Sequence, residues 1–344
     1  MARIAMCGAG WIAGVHAAAI RATGDELVAV ASRSPERAAE QAARWRSRAV
    51  ALDELPASAD VVIVATAPVD HARSAIRLLE AGAAVLLEKP LCRTLEEADA
   101  IVAAAAAHGE RLLYAENLAY APAFVEMVRR AGDLGALTNL EVRTIQTLPT
   151  WGDFTGDEWG GGALFDLGVH PLALALLLAA AAGEGRPTAV EATLRGGEGH
   201  GTDEHAEVTL RFPSGFAARV VASWQGDPAQ PVWDVQAAGA TGVLRLEMLP
   251  EVLLERDGEP VALPQARGEI PILEQFGYAG QLRALVEDSA AGRRPVMSAA
   301  FGRDVLQVVC AAYSSAARSG EAVALPFAGP RHLTPLELWR LRSP

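Results

Sequence analysis

Cysteine is scarce: Cys7, Cys92 and Cys310 are the three in 344 residues, far apart and without C-x-x-C or Cys/His spacing. That pattern offers neither a disulfide framework nor a metal centre, and it fits a reducing, cytoplasmic setting. Long hydrophobic runs are missing too. The longest, 172–182, is about half of the ~20 residues a membrane helix needs, and Pro171 precedes it, so a buried helix is expected there. Residues 1–6 enter a strand-like run directly, without the charged and cleavable regions of an export signal. Basic charge is in deficit, with 30 Lys plus Arg against 42 Asp plus Glu, a net charge of −12 and a pI near 5.1. Such a surface repels phosphate backbones and anionic lipid, which argues against nucleic acid or membrane as a partner. Apolar residues make up 51%, enough for a packed interior, and the length suits two domains.

What is present begins with a glycine turn. An apolar run at 3–7 leads into Gly8-Ala9-Gly10-Trp11-Ile12-Ala13 and then a helix-forming stretch. Gly8 permits a tight strand-to-helix turn, Gly10 lets the backbone approach a pyrophosphate, and Ala13 keeps helix and sheet close. Gly8, Gly10, Trp11, Ile12 and Ala13 are therefore candidate dinucleotide contacts, with the helix N-terminus facing the phosphates. A second apolar run, 27–31, ends in Ser32-Arg33 where an acid would grip the ribose hydroxyls of NAD. A hydroxyl and a guanidinium suit a 2′-phosphate instead, so NADP is favoured over NAD. Ser34 and Pro35 read as the cap and first residue of the next helix.

Alternation continues through strands at 61–66, 84–87 and 112–115, with helices at about 70–81 and from Thr94, where Glu97 would complete a capping box. This rhythm predicts an α/β doubly wound parallel sheet over residues 1–119. After Pro122 the pattern changes to hairpin-like runs at 190–194, 206–212, 216–224 and 232–238, which places a second, α+β domain over 120–344.

Several motifs then recur in an order that carries a resemblance: Gly8-x-Gly10-x-x-Ala13, Thr66-x-Pro68-x-x-His71, Glu88-Lys89-Pro90, Glu116-Asn117, and Gly160-Gly161-Gly162 followed by Asp166, Gly168 and His170. In this order they resemble the Gfo/Idh/MocA family of NAD(P)-dependent oxidoreductases, over nearly the whole chain. The resemblance implies a Rossmann domain and a C-terminal domain with an open, mostly antiparallel sheet. It implies a cofactor site that adds Thr66, Pro68, His71, Glu88, Lys89 and Asn117, and a catalytic group of Lys89, Asp166 and His170. Oxidising a secondary alcohol needs a base for the hydroxyl proton and a donor for the developing alkoxide. Histidine changes protonation near neutrality, so His170 is the acid/base candidate, Lys89 the donor and relay, and Asp166 the support. Asp166 and His170 are four apart, which puts them on one face if the segment is helical.

Substrate contacts are expected from Lys89, Glu116, Trp151, Asp153, Trp159, Asp166, His170 and Tyr278, because aromatic faces pack on sugar C–H faces while carboxylates take hydroxyl protons. Two departures stand out. Pro171 directly follows His170 and threatens to end or kink the helix there, and Ala173 stands where many relatives carry a substrate-binding aspartate. The expected substrate is a small carbohydrate, modified sugar or polyol, and the loss of that carboxylate turns the expectation from a cyclitol or fully hydroxylated sugar toward a less hydroxylated or modified one. Two rival readings are a non-enzymatic NADP-binding regulator on the same fold and a glycosidase that retains its nicotinamide. A homodimer or homotetramer is expected, with the apolar Val208, Leu210, Phe212 and Val221 needing cover. His200, Asp203, Glu204 and His205 read as a solvated glycine-rich loop, their irregular spacing unsuited to zinc.

Overall fold

The computed structural model describes residues 1–196, 201–266 and 270–341. The chain divides into two compact units: Met1–Cys92, Glu96–Ala121 and Ala266–Arg303 form the first, and Arg93–Leu95, Pro122–Gln265 and Asp304–Pro344 the second. The chain passes from the first unit to the second at Ala121–Pro122, and residues 266–303 return to the first.

The first unit holds a six-stranded sheet of β1 (Arg3–Cys7), β2 (Glu26–Ala31), β3 (Arg48–Ala49), β4 (Val61–Val64), β5 (Ala84–Glu88) and β6 (Leu112–Ala115). Its order is β3-β2-β1-β4-β5-β6 and every pair is parallel. Strands β4 and β5 are buried along their whole length, as near-continuous apolar runs require when a sheet is covered on both faces. Between the strands run α1 (Trp11–Thr23), α2 (Pro35–Trp45), the short α3 (Leu55–Ser58), α4 (His71–Glu80) and α5 (Leu95–Ala107). Ser34 caps α2 as expected, accepting from the Arg37 amide at 3.2 Å. Strand β1 has β2 on one side and β4 on the other, so the chain order reverses beside β1, where doubly wound sheets form their ligand crevice. The returning segment closes the far edge: Leu113 bridges Ser298 and the Tyr114 amide donates to Met297 O at 2.7 Å.

The second unit opens with α6 (Pro122–Ala131) and contains, among the described residues, nine strands: β7 (Leu137–Ile145), β8 (Ala189–Gly196), β9 (Asp203–Arg211), β10 (Ala217–Ser223), β11 (Val232–Gly239), β12 (Gly242–Glu247), β13 (Leu253–Arg256), β14 (Glu259–Pro260) and β15 (Val323–Ala324). They are ordered β14-β13-β12-β11-β7-β10-β9-β8-β15, with β7 and β10 parallel and the other pairs antiparallel. One face packs on α8 (Val169–Ala181), which follows the four-residue α7 (Ala163–Asp166) and is apolar nearly all round. Val208, Leu210, Phe212 and Val221 are all buried within this chain, which corrects the expectation that they await a partner's cover. The opposite face carries cross-strand ion pairs instead, Arg143 with Asp234 and Arg219 with Glu207 and Glu141.

Two further expectations change. Pro171 is the third residue of α8, not a terminator: the first turn of a helix has no intrahelical acceptor for its N–H groups, so proline costs nothing there. Asp203, Glu204 and His205 form the start of β9, not a solvated loop, and Asp203 is fully buried. The neighbouring His200 lies outside the described residues. No described helix is long and apolar enough to cross a membrane.

Candidate active site

The glycine turn between β1 and α1 is fixed by its neighbours. The Gly8 amide donates to Ala31 O at 2.8 Å and the Ala65 amide to Cys7 O at 2.8 Å, tying the turn to the ends of β2 and β4. Gly8 has φ of +125°, and a Cβ there would sit 2.3 Å from the Ala65 carbonyl oxygen, so only glycine fits. Gly10 differs: a Cβ would meet nothing within 4 Å, and α1 starts there with no side-chain cap and no acid in its first turn. Ala13 is buried against the sheet while Trp11 is half exposed at the helix start. Beside Gly8, the Thr66 hydroxyl is buried with no partner among the described residues. Open space over Gly10, an uncapped helix start and an orphaned donor together fit the pyrophosphate of a dinucleotide.

At the end of β2, the Ser32 hydroxyl accepts the Ser34 amide at 3.3 Å, and the largely exposed Arg33 places Nε 3.4 Å from Asp70. Arg73 pairs with the same carboxylate at 2.5 Å, so two guanidiniums share one carboxylate and the local charge stays positive. Pro68 is buried at the start of a single 3₁₀ turn that leads to α4. His71 is fully buried, with Nδ1 2.8 Å from Pro90 O and Nε2 3.0 Å from Thr66 O. Burial holds its imidazole below the ordinary value against the pull of those carbonyls, so the ring braces two loops.

Lys89 follows β5 directly, at the strand end where this architecture binds ligands. It is the one lysine of the sequence; the other 29 basic residues are arginines. Its amide donates to Glu88 Oε2 at 3.0 Å, and Glu88 Oε1 lies 2.7 Å from His16 Nε2 inside the unit. Burial alone would raise the Glu88 carboxyl, but the hydrogen bond and charge of His16, with Lys89 behind them, hold it below the usual range. The Tyr278 ring stands edge-on to His16 at 6.0 Å, and burial pushes its phenol well up. Tyr278 thus belongs to the first unit. Glu116 is fully buried and accepts the Leu118 amide at 3.3 Å, and the Asn117 side chain donates to Phe276 O at 2.7 Å, anchoring the returning segment.

In the second unit Asp166 closes α7 and His170 is the second residue of α8. Leu167 and Gly168 between them keep right-handed helical dihedrals, so the two side chains remain one turn apart despite the break. Both are buried, and the His170 ring is tilted on Trp233 with centroids 5.6 Å apart. Trp233 and Trp159 pack on a cluster of Phe154, Ala163, Leu167 and Trp224. Trp151 is half exposed, edge-on to Phe154, and the exposed Asp153 accepts the Gly156 amide at 3.0 Å. Ala173 is fully buried in α8.

His16, Trp224 and Trp233 escape the sequence reading, which places Asp203 in a solvated loop. His16 had a signal: it falls on the buried stripe of α1 with Ala13, Ala17 and Ile20, where an imidazole demands a partner. The two tryptophans are ends of strands whose pairing alone brings them to α7 and α8.

Residues 2–116 match the model of an oxidoreductase family with an NAD-binding Rossmann fold, and residues 125–245 that of the GFO/IDH/MocA C-terminal domain. An uncharacterised oxidoreductase of Rhizobium meliloti is 33% identical over 219 residues, 60% of this chain and 63% of the relative. The scyllo-inositol 2-dehydrogenase (NADP(+)) IolU of Bacillus subtilis is 28% identical over 288 residues, 78% of this chain and 84% of its own. Among solved structures, GenD2 from gentamicin A biosynthesis, in complex with NAD, superposes with a TM-score of 0.81 at 27% identity, covering 94% of this chain and 96% of that one. The chain belongs to the Gfo/Idh/MocA family of oxidoreductases.

Proposed function

We propose that the protein transfers a hydride between a nicotinamide dinucleotide, NADP in preference to NAD, and a secondary alcohol or ketone of a sugar, modified sugar or polyol. The observation that carries this is the clear space over Gly10 at the uncapped start of α1, with the Thr66 hydroxyl beside Gly8 buried and without a partner among the described residues. The preference for NADP is supported by the absence of an acid after β2 and by the positive pair Arg33 and Arg73 around Asp70. The likeness to IolU, whose name specifies NADP(+), points the same way.

When bound, the nicotinamide supplies the hydride acceptor or donor. Lys89 donates to the reacting oxygen, and its backbone is held by Glu88, itself paired with His16. His170 takes the hydroxyl proton in oxidation and returns it in reduction, its ring orientation limited by Trp233. Asp166 supports it from the preceding turn. The aromatic cluster around Trp159 and Trp233 gives this part of the second unit the apolar faces that sugar C–H groups favour.

Fluorescence titration with NADPH and NADH in one buffer tests the cofactor. NADPH binding at least tenfold tighter, ~1.4 kcal/mol, supports the assignment; tighter NADH binding overturns the NADP preference, and binding of neither overturns the function. Screening inositols, glucosides and nucleotide sugars with the preferred nucleotide then tests the substrate class.

A further inference from the structure

Asp203, the first residue of β9, is fully buried, and among the described residues its hydrogen-bond partners include no cation. Its carboxylate instead takes donors from two directions. Oδ1 accepts the Gly162 amide at 3.1 Å and the Tyr313 hydroxyl, and Oδ2 accepts the Leu164 amide at 2.8 Å. The Tyr313 oxygen accepts the same Gly162 amide at 2.9 Å, closing a triangle of three groups. Gly162 must be glycine for this to form, because a Cβ would lie 2.1 Å from Asp203 O.

The backbone so gripped is the one that leads to the catalytic candidates. Gly162 precedes α7 and has no side chain to cap it, so Asp203 supplies from another strand the acceptor that a helix start ordinarily finds next to it in sequence. Hydrogen bonds then run onward: the Asp166 amide to Gly162 O at 2.9 Å, the Leu167 and Gly168 amides to Ala163 O at 2.9 Å, and the His170 amide to Leu167 O at 3.2 Å. From the other side, the helix Pro335–Arg340 fixes Gly160 through the Leu336 amide at 2.9 Å, and its Trp339 stands edge-on to Tyr313 on the helix Ala299–Ala317.

We propose that Asp203, with Tyr313, is a positioning residue of the reaction: its buried carboxylate sets the backbone from which Asp166 and His170 project. This rests on the proposed hydride transfer. A carboxylate is required because an asparagine in its place would turn N–H groups toward at least one of the three donors. Burial pushes the carboxyl up to about 6, and the Tyr313, Leu164, Asp203 and Gly162 donors pull against that, which leaves it ionised at neutral pH.

Asp203→Asn and Tyr313→Phe are the tests. Asp203→Asn should lower kcat at least tenfold and raise the deuterium isotope effect from C4-labelled nucleotide, while the fluorescence-measured nucleotide Kd changes less than twofold. Tyr313→Phe, which keeps the carboxylate, should fall between it and wild type. A loss of folded protein alone would lower kcat without moving the isotope effect, and that result overturns positioning. If Asp203→Asn does not fold, Tyr313→Phe carries the same readouts. The His170 imidazole resonance, identified by its loss in His170→Asn, gives an arm independent of substrate. It should shift in both variants, and an unshifted resonance overturns the proposal even if no polyol is turned over, whereas failure of wild type on every substrate overturns the hydride transfer alone.

Discussion

His16 Nε2 lies 2.7 Å from Glu88 Oε1, and the other oxygen of that carboxylate holds the amide of Lys89 at 3.0 Å. A side chain on the first helix is thereby linked, through one carboxylate, to the backbone of the residue assigned to the chemistry. His16→Leu leaves a buried carboxylate short of one partner, at a cost of roughly 1–3 kcal/mol. Urea unfolding should show that loss. Because the folded Glu88 carboxyl sits below its ordinary 4.5, its stabilisation is present above that pH and is lost as pH falls through the lowered value. His16→Leu should therefore move acid unfolding to higher pH, and an unchanged midpoint would mean the pair contributes nothing.

Lys89→Met is expected to reduce turnover by about 10²-fold or more while nucleotide affinity changes little. Since the sequence holds no other lysine, amine-directed acylation of a lysine side chain can report on Lys89 alone. Bound nucleotide and substrate should slow inactivation by such a reagent, followed by mass spectrometry. Turnover unchanged in Lys89→Met would remove the residue from the mechanism.

Arg33→Ala should weaken NADPH binding about tenfold and leave NADH within twofold, because a charge-assisted contact to phosphate is worth roughly 1.5–3 kcal/mol. Parallel fluorescence titrations decide it. Equal losses for both nucleotides would make Arg33 a partner of Asp70 and nothing more.

Asp203 gives the opposite pH sign from Glu88. Its folded value of about 6 exceeds the ordinary 3.8, so the stability it contributes is complete below the lower figure and is lost as pH rises through the upper one. On that difference, the gap in unfolding free energy between wild type and Asp203→Asn should shrink by about 2 kcal/mol from pH 4 to pH 7. Denaturant melts at both pH values read it directly, and a gap that widens with pH would be contrary to a raised carboxyl.

Local signals made the first unit legible. A strand, a glycine turn and a helix start are neighbours in sequence, as are Ser34 and the helix it caps, and their physics is complete within a few residues. Asp203 defeated the same approach because its setting is rich in glycine and charge, while its partners lie 39, 41 and 110 residues away. Pro171 misled for a related reason: proline in a helix interior removes a hydrogen bond, but in the first turn it removes none, and sequence did not say which turn it occupied. The catalytic candidates were legible through the resemblance of ordered motifs. The tryptophan beside His170 and the imidazole behind Glu88 depend on packing between distant elements.

The edge of the parallel sheet is sealed by Ser298 and Met297, and its last loop by Phe276, so the first unit is finished by chain that follows most of the second. On a ribosome, β1 to β6 would emerge early with β6 bare along one side, an invitation to pair with other chains. The vulnerable interval lasts through synthesis of β7 to β14. A translation stop anywhere in that interval yields a nucleotide-binding half with an open sheet edge, and such fragments are natural clients for chaperones rather than independent binding modules.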